Sequence, residues 1–292
     1  MDILQFMSKK FVLRREYLSK LSAFRGKDDL VKVVTGVRRC GISTLMTQFA
    51  DILRRDGVPD EKIVRINLED PEYFGVRTGD DLASVVFPMV GKGDGVFVFL
   101  DEIQRVDVWE RVVNSLASGT GADVYITGSN AHMLSSELST YLTGRYVSIE
   151  MLPLSFAEWK ELYGNGEDDQ KAIRVYMAYG GFPAVDPSMD DESVKTILRD
   201  LYASVVKWDI ISRGQLRNAE ELDRLMRYLM ENIGNPMSLN NIVEGLGTSR
   251  DLVDRYIGLL REAFLIYRAD RYDIVSSALN PSPKFYAVAP GL

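Results

Sequence analysis

One cysteine and one histidine occur in 292 residues. Cys40 on its own forms no internal disulfide, and with His132 as the sole imidazole the nitrogen and sulfur ligands of a structural zinc site are missing. No run approaches the roughly 18 apolar residues that a transmembrane helix needs. A signal peptide is not apparent either: Asp2 stands where positive charge is wanted, and Ser8, Lys9 and Lys10 break the apolar run of MDILQFMSKKFVLRREYLSK. A cytoplasmic location without a membrane partner is therefore expected. Positive charge is also short, 35 Lys and Arg against 42 Asp and Glu for a net −7, which argues against broad attraction to nucleic acid and leaves room only for a local basic patch. What is present is ordinary for a folded chain: 46% apolar and 26% charged residues, with 23 Gly and 10 Pro. That excludes collagen-like and disordered classes, and the length suits two or three domains of about 100–150 residues.

Periodicity divides the chain. Phe11 to Phe24 has helical spacing, with Leu13, Tyr17, Leu18, Leu21 and Phe24 on one face. Short β-branched or apolar runs then alternate with helical patterns. Strands are predicted at Val31–Thr35, Ile63–Leu68, Val96–Leu100, Val124–Thr127 and Tyr146–Glu150, with helices from near Ser43 and at Asp80–Met89, Val106–Leu116 and Met133–Leu142. This is the signature of a mostly parallel α/β sheet. After Pro153 the pattern is helical: Ser155–Tyr163, Gln170–Tyr179, Asp191–Ser212, Ala219–Asn232, Leu239–Leu246 and Ser249–Ala263. Two β-prone segments, Phe264–Arg268 and Arg271–Val275, follow the last helix. Helix, turn, helix and ribbon in that order describe a winged helix-turn-helix.

Directly after the first strand stands Gly36-Val37-Arg38-Arg39-Cys40-Gly41-Ile42-Ser43-Thr44. It has every element of the phosphate-binding pattern G-x-x-x-x-G-K-[ST] except the lysine, whose place Ile42 takes. Gly36 and Gly41 would let the backbone wrap phosphate oxygens, the helix N-terminus would face the anion, and Ser43 would place a hydroxyl on Mg²⁺. A plain strand-to-helix turn would share the two glycines. A second signal separates the readings: the buried run Val96–Leu100 ends in Asp101 and Glu102. Asp101 would hold the metal through the Ser43 hydroxyl and water, and Glu102 would orient and polarise the attacking water.

Together with ITGSNAHML, LTGRY, LPLSFAEW, YGGFP and SPKFYAVAPGL, the stretches TGVRRCGIST and FLDEIQ make the whole chain resemble the prokaryotic AAA+-like P-loop ATPases. These carry a winged helix and a C-terminal nuclease-like module and are related to the archaeal ATPase and signal-transducing NTPase groups. The resemblance implies an α/β, parallel-sheet P-loop NTPase domain over 29–153, preceded by a helical segment 1–28. It further implies a helical lid over 154–215, a winged helix over 216–276, and over 277–292 the start of a C-terminal module cut short. ATP, ADP and Mg²⁺ are the implied ligands, with a homo-oligomer as the implied assembly. Ser129 and Asn130 fall at the sensor that touches the γ-phosphate or the attacking water. Arg145 would meet a γ-phosphate, in its own or a neighbouring subunit, as a planar guanidinium suits the spreading charge. Gly180, Gly181 and Pro183 resemble the lid motif near the base, and Thr44 completes the loop's nucleotide-contacting set. Arg38 and Arg39 belong to the family pattern and would offset part of the missing lysine charge. His132 and Cys40 are read as structural.

Two departures bear on activity. A charge-assisted contact is worth roughly 1.5–3 kcal/mol, so Ile42 is expected to weaken triphosphate binding by about tenfold to a hundredfold and to impair hydrolysis further. Ala289 stands where the family usually has an acidic residue. For the winged helix, Arg250, Arg255 and Arg261 fall on the expected recognition helix, yet Arg217 to Asp273 holds eight basic against ten acidic residues. Two readings stay open. One is an ATP-binding protein whose nucleotide state moves lid and winged helix. The other is a non-enzymatic DNA- or protein-binding regulator on a degenerate ATPase scaffold.

Overall fold

A computed structural model describes residues 11–131, 142, 144–164, 166, 168–211, 219–270 and 282–292. The predicted β-branched runs become β1 (Val31–Gly36), β2 (Ile63–Asn67), β3 (Phe97–Asp101), β4 (Asp123–Gly128) and β5 (Tyr146–Met151). They form one parallel sheet in the order β2-β3-β4-β1-β5. Between them run α1 (Arg15–Ala23), α2 (Ile42–Arg55), α3 (Gly79–Val90) and α4 (Trp109–Gly119), and α5 (Phe156–Tyr163) follows. Burial on both faces explains the continuous apolar strands. On one face Val33, Val98, Leu100 and Ile126 pack with Leu82 and Val86 of α3 and Val113 and Leu116 of α4. On the other, Phe99 stacks on Tyr125 at 4.9 Å and both meet Phe49 of α2. Truncating Phe49 to alanine would leave a cavity costing about 3–5 kcal/mol.

Lys32, the second residue of β1, is fully buried. Its ammonium donates to the Asp123 carboxylate and the Lys27 carbonyl. Asp123 also accepts from the Tyr125 hydroxyl at 3.0 Å and the Gly26 amide at 2.8 Å, so the buried pair is hydrogen-bonded on all sides. This knot lies at the amino end of the strands and positions nothing at the opposite end.

Two compact units result: residues up to Gly36 with Cys40–Met151 and Ala157–Asn165, and Val37–Arg39 with Leu152–Phe156 and Gly166–Leu292. Most of α5, expected to open the lid, belongs to the first unit. Arg14 pairs with Glu158 at 2.9 Å and Arg15 with Glu161 at 3.1 Å.

The second unit holds α6 (Asp169–Tyr179), α7 (Asp191–Val205), α8 (Ala219–Glu231), α9 (Leu239–Leu246) and α10 (Arg250–Glu262). Side chains of Asp190, Ser238 and Ser249 cap α7, α9 and α10. The helix expected over Asp191–Ser212 is not uniform: after Val205 it continues as a π-helical turn, Val206–Ile211. Asp209, within that turn, is buried. The antiparallel ribbon also departs from expectation. Its strands are β6 (Ile266–Ala269) and β7 (Lys284–Ala287), the first starting late because Phe264 adopts φ 56°. Arg271–Val275 lies outside the described residues, and the expected C-terminal segment supplies the partner strand instead. Among the described residues no helix is long and apolar enough to cross a membrane.

Candidate nucleotide site

The first unit gathers its chemistry at the carboxyl ends of β1, β3 and β4, where ligands of open parallel sheets bind. β1 ends at Gly36, where a Cβ would stand 2.2 Å from the Met151 carbonyl, so only glycine lets the chain pass β5 there. Past it, Arg39 (φ 70°) and Gly41 (φ 106°) turn the loop through the left-handed region. α2 then starts at Ile42 with no side-chain cap, which leaves the amides of its first turn for an anion. The loop is held from behind. Arg14, itself buried, donates from Nη1 to the Cys40 carbonyl at 3.3 Å, and the Cys40 thiol donates to the Met151 carbonyl at 3.5 Å.

Ser43, on the exposed face of α2, lies close enough to Asp101 at the end of β3 for its hydroxyl to favour the carboxylate. Asp101 also accepts from the Thr127 hydroxyl. Burial pushes the Asp101 carboxyl above its ordinary range, opposed by the Thr127 and Ser43 hydroxyls and by the nearby Arg65 charge. Glu102 follows in a left-handed conformation, φ 57°, a strained geometry for a side-chain-bearing residue. Its amide donates to Thr127 Oγ1 at 3.0 Å and its carboxylate accepts from Gln104 Nε2. Gln104 Oε1 is buried without a hydrogen-bond donor.

The predicted residues divide. Gly36, Gly41, Ser43, Asp101 and Glu102 meet at one edge of the sheet, Thr44 is half-buried beside Ser43, and Ser129 and Asn130 are buried immediately after β4. Ile42 is buried and brings no charge. Arg38 does not bring a free charge either. Within the second unit its guanidinium forms a two-pronged ion pair with buried Asp209, Nε–Oδ2 3.0 Å and Nη2–Oδ1 3.2 Å, so the expected compensation from Arg38 is already spent. Arg39 is exposed. Arg145 is not brought to this edge. It precedes β5, and its carbonyl accepts from the Val31 amide at the opposite end of the strands. Six residues of strand, about 17–20 Å, exclude contact with a phosphate held in the same chain. Pro183 lies in the second unit. There Gly180 and Gly181 are required by close packing, since a Cβ would fall 1.8 Å from the Pro290 carbonyl and 2.0 Å from that of Leu154. His132 lies outside the described residues.

Thr127, Gln104 and Arg14 escaped the sequence reading. The polar residue closing the run VYIT was the available signal for Thr127. Nothing local marks Arg14, whose partners lie 26 and 144 residues away.

The donor set fits magnesium that arrives with phosphate. Among the described residues no group of three His, Cys, Asp or Glu could hold a metal. Ser43 and Asp101 offer two oxygens, leaving the remaining positions to phosphate and water, as Mg²⁺ prefers.

A family profile described as AAA domain matches residues 28–160, and one described as a domain of unknown function (DUF8612) matches 170–292. A Haemophilus influenzae protein described as uncharacterized is 38% identical over 98% of this chain and 74% of its own length. The chain belongs to the family of that protein, and its first unit carries the AAA domain. An uncharacterized protein of Methanocaldococcus jannaschii, MJ1544, is 28% identical over 99% of this chain, which spans 66% of that relative. Among solved structures, a STAND protein with a tetratricopeptide repeat sensor from Pyrococcus horikoshii overlaps 88% of this chain and 39% of its own, at 15% identity and TM-score 0.41. The Aeropyrum pernix ORC1 protein, in complex with DNA, overlaps 96% and 90%, at 14% identity and TM-score 0.38. The glycine loop and the paired carboxylates both lie within the span that the AAA profile matches.

Proposed function

We propose that this chain binds ATP and ADP with Mg²⁺ in its AAA domain and hydrolyses ATP slowly, because Ile42 replaces the phosphate-contacting lysine. The observation that carries the reading is the placement of the Ser43 hydroxyl near Asp101, beside the uncapped start of α2. A degenerate scaffold has no reason to keep a metal-binding hydroxyl and carboxylate in register across two elements. When bound, the metal neutralises phosphate charge during transfer. The backbone amides after Gly41 would hold the phosphates, and Ser43 and Asp101 would orient the metal's inner and outer oxygens. Glu102 would accept a proton from water, held in place by Gln104, whose unused Oε1 is an acceptor suited to that same water. Ser129 and Asn130, at the end of β4, would sense the terminal phosphate.

The second unit is proposed to respond to nucleotide, with α6 and α7, from the lid expected over 154–215, serving as lid and α8–β7 as a winged helix. Contact with DNA through α10 is the weaker part of this proposal. Its exposed arginines 250, 255 and 261 are matched by exposed Asp251, Asp254 and Glu262, and Arg250 lies 3.9 Å from Asp254. Arg145 would reach a phosphate only in a neighbouring subunit of a homo-oligomer. Equilibrium binding of fluorescent ATP and ADP with and without Mg²⁺ tests the core of the proposal; absence of binding to the wild-type chain and to Ile42→Lys alike would contradict it.

A further inference from the structure

Arg65 is a cation beside the candidate site whose hydrogen-bond partner is a neutral hydroxyl rather than a carboxylate. It lies on β2, two residues before Asn67, which is in register with Asp101 on β3. Its strand partner Phe99 packs on Phe49 of α2, so this face of the sheet lies under α2. The guanidinium donates from Nη2 to Thr47 Oγ1 at 2.8 Å, and Thr47 in turn donates to the Ser43 carbonyl at 2.9 Å. Arg65 is thus fastened one helical turn, about 6 Å, behind Ser43. Among the described residues it forms no ion pair. Of the carboxylates whose charge acts on it, Asp51 is paired with Arg54, Asp101 accepts from Thr127 and Asp70 from Asn67, and none forms an ion pair with Arg65. Its charge acts on Asp101, favouring the carboxylate.

We propose that Arg65 supplies the positive charge that Ile42 does not, leaving Thr47 to pair with the terminal phosphate of a bound nucleoside triphosphate beside Ser43. The physical reasoning is one of position and demand. A triphosphate seated on α2 brings an unneutralised charge to this edge, Arg38 is committed to Asp209, and Arg65 is tethered only by a neutral hydroxyl that costs little to exchange. A guanidinium pairs with a phosphate through two parallel N–H bonds, a stronger contact than its present one. The move required is about one turn of helix, within the swing of an arginine side chain.

This inference rests on the nucleotide-binding reading, and the test separates the two. Affinities for ATP and ADP with Mg²⁺ are measured by calorimetry on the wild-type chain, Arg65→Gln, Arg65→Lys and Arg39→Gln. Arg65→Gln is expected to weaken ATP binding about tenfold while ADP changes less than about threefold, and Arg65→Lys to keep most of the ATP affinity. Adding Ile42→Lys to Arg65→Gln is expected to restore it. Should Arg65→Gln fail to fold, Arg65→Met, which keeps the alkyl stem, carries the same comparison. ATP affinity unchanged in Arg65→Gln, equal losses for ATP and ADP, or a loss seen only in Arg39→Gln would overturn the assignment while leaving nucleotide binding intact. A wild-type chain and an Ile42→Lys variant that both bind no nucleotide would overturn both.

Discussion

The hydroxyl of Thr127 donates to the Asp101 carboxylate and accepts from the Glu102 amide, so one side chain on β4 fixes both acidic residues at the end of β3. Thr127→Val keeps the shape and removes both bonds. We expect a loss of about 1–3 kcal/mol in unfolding free energy, and weaker Mg²⁺-dependent nucleotide binding, measured by denaturant titration and calorimetry. A variant as stable as wild type would show that the carboxylates hold their places unaided.

Asp101 gives a pH signature. Its carboxyl is raised by burial, so the native chain keeps this proton to higher pH than the unfolded chain does. Stability contributed by the group is therefore highest near the ordinary carboxylate pKa, falls as pH rises through the raised native value, and stays low above it. Asp101→Asn removes that loss. The variant is expected to melt higher than wild type at neutral pH, with the gap closing as pH falls toward the ordinary carboxylate range, and to bind nucleotide more weakly when Mg²⁺ is present. A variant melting lower at neutral pH would contradict the burial argument.

Cys40 sits in the loop but is fully buried, and burial pushes its thiol up to about 12. It is expected to resist iodoacetamide at about pH 8 in the folded chain and to react readily in denaturant. Rapid alkylation of the native protein would mean that the loop opens.

Arg14 ties the loop to α5, with its side chain only 4% exposed against 18% for Glu158. Arg14→Ala is expected to cost about 3 kcal/mol, because it strands a carboxylate in a largely dry setting and frees the Cys40 carbonyl. Thermal melts check the stability, and nucleotide affinity should fall with it.

Much of this was legible in the residues themselves. The alternation of β-branched runs with amphipathic segments placed all five parallel strands, since strands buried on both faces have little freedom to look like anything else. Gly36, Gly41, Ser43, Asp101 and Glu102 were legible as one cluster because their offsets from the ends of β1 and β3 bring them to one edge of the sheet. What escaped depends on contacts between distant residues. Arg38 looked like a spare charge until Asp209, 171 residues away, proved to be buried against it. Arg145 could have been read as a ligand for a phosphate of its own chain until its backbone proved to sit at the opposite end of β1, which leaves only a neighbouring subunit's phosphate within its reach. The partner of β6 was misplaced for a similar reason: the chain pairs with Lys284–Ala287 after a connection no local pattern spans.

The central claim is that α2's free amides, with Ser43 and Asp101, hold a nucleotide's phosphates without the usual lysine. Calorimetric titration of the wild-type chain and of Ile42→Lys with ATP and Mg²⁺ tests it most directly. The account predicts measurable binding to wild type and affinity about tenfold to a hundredfold higher in Ile42→Lys, with hydrolysis rising alongside. No heat from either chain would contradict it.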